Sequence, residues 1–184
     1  YEGLNVITTV TKHNVRHLAN LVRFIHSKKV TCLLLNPVRA TRKSTLKLRP
    51  PQDDLTRYFI QAVKAAMELS KRSKRRIIIG NFSNIILGIV APHARRLMCD
   101  ISPCGGGRCF FAITAEGNMI PCGEFIALKE FYGGNIFKDS IQKAIFSEFF
   151  KKLRSRVVEG INECDICLYR NICGAPCPAE VYSL

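Results

Sequence analysis

The sequence predicts an α/β fold in residues 1–97, followed by a cysteine-rich region with a β-hairpin and short helices in residues 98–184. In the first part, short β-branched runs alternate with stretches of three- and four-residue apolar spacing, which is typical of repeated strand–helix units. Eight of the nine cysteines fall after residue 98. A chain of 184 residues with 47% apolar residues can form part of a barrel and a small module.

The first part reads as three strands, each followed by a helix. The predicted elements are, in order, a strand at Leu4–Val10, a helix from an Asn14 cap to about His26, a strand at Val30–Leu35, a helix from Asp53 or Asp54 through Leu69, a strand at Ile77–Ile79 and a helix from a Ser83 cap to about Val90. Strands joined by helices in this way lie parallel. Residues 36–48 form a polar, basic loop at a carboxyl strand end, where such folds bind ligands. Three strands cannot close a barrel, so we expect only part of one.

The second part begins with flexible and turn-forming residues. Gly105, Gly106 and Gly107 are too flexible for the interior of a helix or strand. Residues 109–114 and 119–121 are predicted as two strands, and residues 115–118 as the hairpin turn between them. Residues 133–134 are expected in a loop. Ser140 and Ser147 have the chemistry to cap two short amphipathic helices.

The cysteines point to thiolate ligation of metal, as in iron–sulfur clusters. One set has C-x2-C-x5-C-x3-C spacing, and a second set lies upstream. The first set is Cys164, Cys167, Cys173 and Cys177, and the second is Cys99, Cys104, Cys109 and Cys122. The glycines after Cys104 would let backbone N–H groups approach the cluster sulfurs closely.

Other interpretations of the cysteines remain open at this point. Zinc also binds four-cysteine sites built from C-x2-C pairs, and a zinc-stabilised module that binds nucleic acid or protein is the alternative function. Disulfides would need an oxidising compartment, which no targeting segment indicates. Cys32 stands alone in an apolar strand and is interpreted as a small core residue.

The formal charge of +14 allows a solvated basic surface, an acidic partner or an offset to thiolate charge. The basic runs at residues 71–76 and 151–154 lack interleaved aromatic residues, so nucleic-acid binding is not expected. No apolar run reaches the roughly 18 residues of a membrane span. Without a signal peptide either, the sequence predicts a cytoplasmic protein.

The cysteine pattern resembles the SPASM domain of radical S-adenosylmethionine (radical SAM) peptide-modifying enzymes. The resemblance is carried by Cys104-x12-Gly117-x4-Cys122 followed by C-x2-C-x5-C-x3-C, and it covers about residues 99–184. Residues 105–108 and 115–122 are similar to the family's cluster-binding hairpin. Residues 1–97 are similar to the later part of the radical SAM partial (β/α) barrel. The implied fold is therefore the C-terminal part of that barrel followed by a SPASM domain.

The resemblance implies two auxiliary 4Fe-4S clusters. Its interleaved pattern assigns Cys104, Cys122 and Cys177 to the first cluster, with Cys99 as the expected fourth ligand and Cys109 or the substrate as alternatives. It assigns Cys164, Cys167 and Cys173 to the second cluster. The family's last cysteine, beyond Cys177, has no counterpart in the sequence.

The resemblance also implies a function for a longer parent protein. The parent would form a 5′-deoxyadenosyl radical from S-adenosylmethionine and modify a ribosomally made peptide, for instance by thioether crosslinking, with help from an electron donor. The family's C-x3-C-x2-C loop does not occur in this sequence, and the chain has no initiator Met. We therefore expect a C-terminal fragment that is not active alone, or a degenerate, non-catalytic partner.

Two finer expectations concern binding surfaces. Thr9, Thr11 and Asn36, at predicted strand ends, could face the S-adenosylmethionine pocket, or they could be ordinary loop and cap residues. The basic surface could attract an acidic leader segment of the peptide substrate.

Overall fold

The computed structural model describes residues 4–94, 99, 104–173 and 175–183. The chain divides into two compact units, Tyr1–Leu87 and Gly88–Leu184. The predicted domain boundary between residues 97 and 98 lies within residues 95–98, which are outside the described residues, and it stays a prediction. Among the described residues, no helix is both long and apolar enough to cross a membrane.

Unit 1 is a three-stranded parallel sheet with helices between the strands, as the sequence predicted. Its elements are β1 (Asn5–Val10), a 3-10 turn (Val15–His17), α1 (Leu18–Ser27), β2 (Cys32–Pro37), α2 (Lys43–Leu46), α3 (Gln52–Ser73), β3 (Ile78–Ile79) and α4 (Gly80–Val90), the last of which runs past residue 87. The strand order is β1-β2-β3. Within the described residues the sheet has these three strands and does not close into a barrel.

Strand alternation divides the unit 1 sheet into a buried face and an open face. Val10, Leu33, Leu35 and Ile79 lie in one core with residues of α1 and α3. The alternate residues point the other way, and Ile7 on that side is 65% exposed. The open face is thus apolar near its middle, and it ends in Thr9 and Asn36, which are register partners across β1 and β2.

Three of the predicted helix caps are wrong, although the helices exist. The Asn14 side chain closes the turn after β1 instead of capping: its Oδ1 accepts from the Thr11 N–H at 2.7 Å and its Nδ2 donates to the Thr9 carbonyl at 2.9 Å. Helix α3 begins after Pro51, so Asp53 and Asp54 lie in its first turn, where carboxylates still favour the helix dipole.

Helix α4 begins at Gly80, which leaves Ser83 inside the helix and not at its cap. The expected loop at residues 36–48 contains the end of β2 and the one-turn helix α2.

Unit 2 contains the predicted hairpin and several short helices. Its strands are β4 (Ala112–Ile113), β5 (Asn118–Ile120) and β6 (Gly134–Asn135), its helices are α5 (Ile141–Ile145), α6 (Glu148–Ser155) and α7 (Pro178–Ser183), and its 3-10 turns are Pro92–Ala94, Gly123–Phe125, Lys129–Phe131 and Val158–Gly160. β4 and β5 are antiparallel, and Gly117 in the turn between them has φ 82°. Ser140 caps α5 by accepting the Lys143 N–H at 3.2 Å, while Ser147 precedes α6 without a side-chain cap bond.

The residues expected to form a loop at 133–134 contribute instead to β6. Met119 of β5 pairs with Gly134, and Asn118 pairs with Asn135. A two-residue strand that contains a glycine has no apolar alternation, so the sequence carries no signal for it. Beneath the hairpin, Phe125, Phe131 and Leu153 form a buried core with Ile120 and Ala179.

Candidate metal centre

Cys104 and Cys122 converge on one point beside the hairpin. A Cβ placed on Gly106 would lie 3.3 Å from Cys122 Cβ and 3.5 Å from Cys104 Sγ. The backbone explains this approach, because the Gly107 N–H donates to the Pro121 carbonyl at 3.1 Å and so ties the glycine loop to the end of β5. Two thiols 18 positions apart in sequence are thereby brought to the same place, and a bare backbone lies between them.

Backbone N–H groups point at the sulfurs of these two cysteines. The Gly106 N–H donates to Cys104 Sγ at 3.3 Å, and the Glu124 N–H donates to Cys122 Sγ at 3.5 Å. Each donor lies two residues after its cysteine. Hydrogen bonds of this kind stabilise ligating thiolates and tune iron–sulfur clusters.

Cys122 would not ionise readily by itself. Burial raises the pKa of the Cys122 thiol to about 11, and the Glu124 N–H opposes part of that rise. Negative charge on the Glu124 carboxylate and on thiolates at Cys99 and Cys104 supplies smaller parts of the rise in the Cys122 pKa, so these groups lie within electrostatic reach of Cys122. A bound metal reverses this balance, because its positive charge deprotonates a coordinating thiol. The surroundings of Cys122 therefore suit a metal ligand better than a free thiolate.

Cys177 reaches the same region through the hydrophobic core. Both Cys122 and Cys177 are half-buried and pack against the core that contains Phe125 and Leu153. Helix α7 begins directly after Cys177, at Pro178, and its Ala179 is fully buried in that core. The structure thus anchors the Cys177 loop on the surface that also holds Cys122.

Three arginines fasten the cysteine loops together, and we call them the arginine clasp (Arg108, Arg154 and Arg156). Arg108, in the turn after the glycines, donates to the carbonyls of Arg154 and Arg156 at the carboxyl end of α6. Arg154 donates to the Gly107 carbonyl at 3.4 Å. The bond from Arg108 to the Arg154 carbonyl satisfies a group that the end of α6 leaves without an intrahelical partner.

Arg156 extends the clasp to the last cysteine loop by donating to the Pro176 carbonyl at 3.0 Å. The sequence analysis did not predict these contacts. It named residues 105–108 and the basic run at residues 151–154, but for the positive charge it left a solvated surface, an acidic partner and an offset to thiolate charge all open.

The three cysteines predicted to bind the second cluster, Cys164, Cys167 and Cys173, lie on a tight, exposed loop. The Cys167 N–H donates to the Cys164 carbonyl at 3.2 Å, so this pair shares one turn, and the Tyr169 N–H donates to Cys167 Sγ at 3.4 Å. Cys164 and Cys167 are half-buried, whereas Cys173 is exposed. Cys164 and Cys167 therefore lie on one turn, an arrangement that ligands of a shared cluster can have.

The remaining cysteines are less engaged with these loops. Cys109 is exposed and lies in the turn before β4, not in the hairpin strand where the sequence placed it. Cys32 is half-buried, and strand alternation puts it on the open face, next to Gly80. Burial raises the pKa of the Cys32 thiol. The sequence analysis interpreted Cys32 as a residue of the core. The structure instead puts it on the face of the sheet opposite the core that α1 and α3 cover.

The donor set fits iron–sulfur ligation, but the described residues do not assemble a complete site. Among residues 4–94, 99, 104–173 and 175–183, no group of three or more His, Cys, Asp or Glu side chains is arranged to hold a metal ion. Cys104 and Cys122 both approach Gly106, and Cys164 and Cys167 share one turn. The full ligand set of each cluster stays a prediction.

The residues expected near S-adenosylmethionine lie together at the carboxyl ends of the unit 1 strands. Thr9 and Asn36 are exposed register partners, and Thr11 follows directly after β1. Asn81, which the sequence analysis did not single out, joins them: its Nδ2 donates to Asn36 Oδ1 at 3.0 Å, and its Oδ1 accepts from the Leu35 N–H at 2.7 Å. The carboxyl ends of all three strands thus contribute polar groups to one edge.

Comparisons with known proteins agree with the cysteine pattern. Residues 104–168 match the SPASM family, described as an iron–sulfur cluster-binding domain. An uncharacterised protein of Archaeoglobus fulgidus is 51% identical over 183 residues, which is 100% of this chain and 43% of that protein.

The fold is similar to that of anSMEcpe, a radical SAM/SPASM anaerobic sulfatase-maturating enzyme. The structure of anSMEcpe with bound AdoMet and Cp18Cys peptide has a TM-score of 0.74 and 19% identity, over 95% of this chain and 48% of that chain. The structure with AdoMet alone has a TM-score of 0.73 over 95% and 47%. At 19% identity the likeness shows the fold, and the chain spans less than half the length of these relatives. The predicted resemblance and fold class are confirmed.

Proposed function

We propose that this chain, which matches the SPASM family over residues 104–168 and has a fold similar to that of anSMEcpe, is the auxiliary-cluster portion of a peptide-modifying radical SAM/SPASM maturase. The convergence of Cys104 and Cys122 on Gly106 carries this proposal, together with the N–H groups that point at both sulfurs. Core cysteines have no need of such donors, whereas ligating thiolates do.

We assign Cys104, Cys122, Cys177 and Cys99 to the first 4Fe-4S cluster and Cys164, Cys167 and Cys173 to the second. Burial of Cys122 and Cys177 on one core supports the first assignment. The shared turn of Cys164 and Cys167 supports the second. Bound clusters of this kind carry single electrons. In this chain the cysteine thiolates would bind the clusters, and backbone N–H groups donate hydrogen bonds to the cysteine sulfurs. The hydrophobic core excludes water on one side of the first site.

The substrate of the parent enzyme is proposed to be a ribosomally made peptide. The similar anSMEcpe structure holds a peptide and AdoMet, and the basic charge of +14 suits an acidic leader. Thr9, Thr11 and Asn36, with Asn81, would face S-adenosylmethionine in the parent enzyme, because parallel α/β folds bind ligands at the carboxyl ends of their strands. An electron donor completes the set of partners. We place the protein in the cytoplasm, where thiols stay reduced.

Anaerobic purification followed by metal analysis tests the proposal. We expect brown protein with about eight iron and eight sulfide ions per chain, since each 4Fe-4S cluster contributes four of each. Cys104→Ala with Cys122→Ala should remove about half of the iron, and Cys164→Ala with Cys167→Ala should remove the other half. Cys32→Ala is the matched control and should leave the iron content unchanged. Colourless protein that holds zinc would favour the alternative zinc-stabilised module instead.

A further inference from the structure

Unit 1 has a second concave site, along β3 and the helices on either side of it. The site is a groove of about 400 Å³ between α3, β3 and the first turn of α4. One wall is a helical stripe of α3 at three- and four-residue spacing, which includes Val63, Met67 and Ser70. The other walls are β3 and Phe82 of α4. Met67 is 54% exposed and Phe82 is 37% exposed, so the groove presents apolar side chains to solvent.

The floor of the groove is the free edge of a β-sheet. Within the part of the chain that the structure describes, β3 pairs with β2 alone. The Ile78 N–H donates to the Thr31 carbonyl at 2.8 Å, so Ile78 faces β2. Backbone groups alternate along a strand, which turns those of Ile77 and Ile79 toward the groove. The Ile77 N–H is taken by Ser70 Oγ at 3.1 Å.

The two other groove-facing backbone groups belong to Ile77 and Ile79, which are 5% and 4% exposed, so a partner strand must enter the groove to reach them. No hydrogen bond to the Ile77 carbonyl or from the Ile79 N–H occurs within the described residues. An acceptor and a donor two residues apart on an apolar floor are what an added strand needs.

Two cations stand at one end of this groove. Lys71 lies in the last turns of α3, Arg76 lies just before β3, and both line the groove. Their side chains make no ion pair or hydrogen bond with any described residue. No Asp or Glu lines the groove. The described residues therefore leave this charge uncompensated at that end, and an occupant with carboxylates there would complement it.

We propose that the groove binds an extended, apolar peptide segment with acidic residues at one end. The segment pairs with the free edge of β3, places its apolar side chains against Met67 and Phe82, and brings its carboxylates to Lys71 and Arg76. This inference rests on the proposed function, because the segment would belong to the peptide substrate, outside the part that reacts. The groove thus supplies the location for the acidic leader that the overall charge only suggested.

Fluorescence anisotropy with two labelled peptides tests the groove on the full chain purified anaerobically with its clusters. The probe is Glu-Glu-Val-Thr-Val-Thr-Val, and its matched control is Lys-Lys-Val-Thr-Val-Thr-Val. We expect the acidic peptide to bind at least about tenfold more tightly than the basic one, with the difference shrinking between about 0.05 M and about 0.5 M salt. N-methylation of two successive valine and threonine nitrogens should abolish binding, because it removes the donors of an added strand.

A pair of charge-reversal variants makes the test specific. Lys71→Glu with Arg76→Glu should weaken the acidic peptide at least about tenfold. Arg57→Glu with Lys64→Glu makes the same charge change on α3 outside the groove, and it should change affinity by less than about twofold. Equal binding of the two peptides, equal effects of the two double variants, or full tolerance of N-methylation would each overturn the proposal.

The same preparations separate this inference from the proposed function. Iron and sulfide are counted in every sample. Protein with both clusters that does not distinguish the peptides overturns the groove alone, and zinc-loaded, iron-free protein that does distinguish them overturns the cluster assignment alone.

Discussion

Replacement of Arg156 by alanine should loosen the first cluster without unfolding unit 2. Arg156 donates to the Pro176 carbonyl at 3.0 Å, one residue before Cys177. A hydrogen bond from a charged donor contributes about 1.5–3 kcal/mol. Arg156 is half-buried and Pro176 is exposed, so water replaces part of the bond, and the lower end, about 1.5 kcal/mol, applies. That is about a tenfold shift toward states in which the Cys177 loop is detached.

The assay is the rate at which a chelator removes iron from the first cluster. The Cys164→Ala, Cys167→Ala background is used, so that all the iron that remains belongs to the first site. We expect Arg156→Ala to release iron about tenfold faster than the background protein, and Arg156→Lys, which keeps one donor, to fall between them. The midpoint potential of the remaining cluster should also fall in Arg156→Ala, since a positive charge near the cluster is lost.

A matched control distinguishes the clasp from a general effect of losing arginine. Arg170 also donates to a carbonyl in a cysteine loop, that of Asp165 beside Cys164. In the same background, Arg170→Ala should leave iron release unchanged, because it touches only the second loop. If Arg156→Ala releases iron no faster than Arg170→Ala, the clasp does not position Cys177, and the reasoning is refuted.

Three other predictions follow from single contacts. Gly106→Ala should lower iron incorporation and cost about 1–3 kcal/mol of unit 2 stability, because its Cβ would meet Cys122 Cβ and the Pro121 carbonyl at 3.3 Å; Gly123→Ala, where a Cβ meets nothing within 4 Å, is the control for metal analysis and thermal melting. Asn81→Ala should cost about 1–3 kcal/mol in urea unfolding, since it leaves the Leu35 N–H without its acceptor, whereas Asn20→Ala, whose bond to Arg23 is exposed, should cost almost nothing. Phe150→Ala, at a side chain with no exposed surface, should cost about 3–5 kcal/mol in the same assay, and exposed Phe137→Ala should cost less than about 1 kcal/mol.

The sequence predicted the elements whose signals are periodic and local. The strands of unit 1 carry runs of apolar and β-branched residues, and the hairpin carries Gly117 at the one turn position that needs positive φ. The caps failed because Asn14 and Ser83 had the right chemistry at the wrong place. Asn14 satisfies the backbone of the turn before it, and Ser83 lies beyond a helix that already starts at Gly80. Which residue caps a helix depends on where the chain turns from the preceding strand into the helix. The capping propensity of a residue type does not contain that information.

In the candidate metal centre, too, local sequence signals predicted part of the arrangement and the packing of distant residues determined the rest. Cysteine spacing was enough to pair Cys164 with Cys167, since residues three apart share a turn. It was also enough to suggest that Cys104 meets Cys122, because a hairpin returns the chain. Spacing could not show what holds the Cys177 loop on the core that Cys122 also contacts. That depends on Phe125 and Leu153 forming a common floor and on Arg156 reaching across 20 positions to Pro176.

The basic residues show why the contacts of charged side chains could not be predicted from the sequence. In sequence, residues 71–76 and 151–156 are two similar runs of positive charge. In the structure, Arg154 and Arg156 donate to backbone carbonyls within the cysteine loops, whereas Lys71 and Arg76 make no contact of that kind among the described residues and line an apolar groove. Net charge therefore combines two separate roles, one that holds ligand loops in place and one that leaves an uncompensated surface. The Arg156 and Lys71–Arg76 variants probe these roles independently, since the first should change iron retention and the second should change peptide affinity.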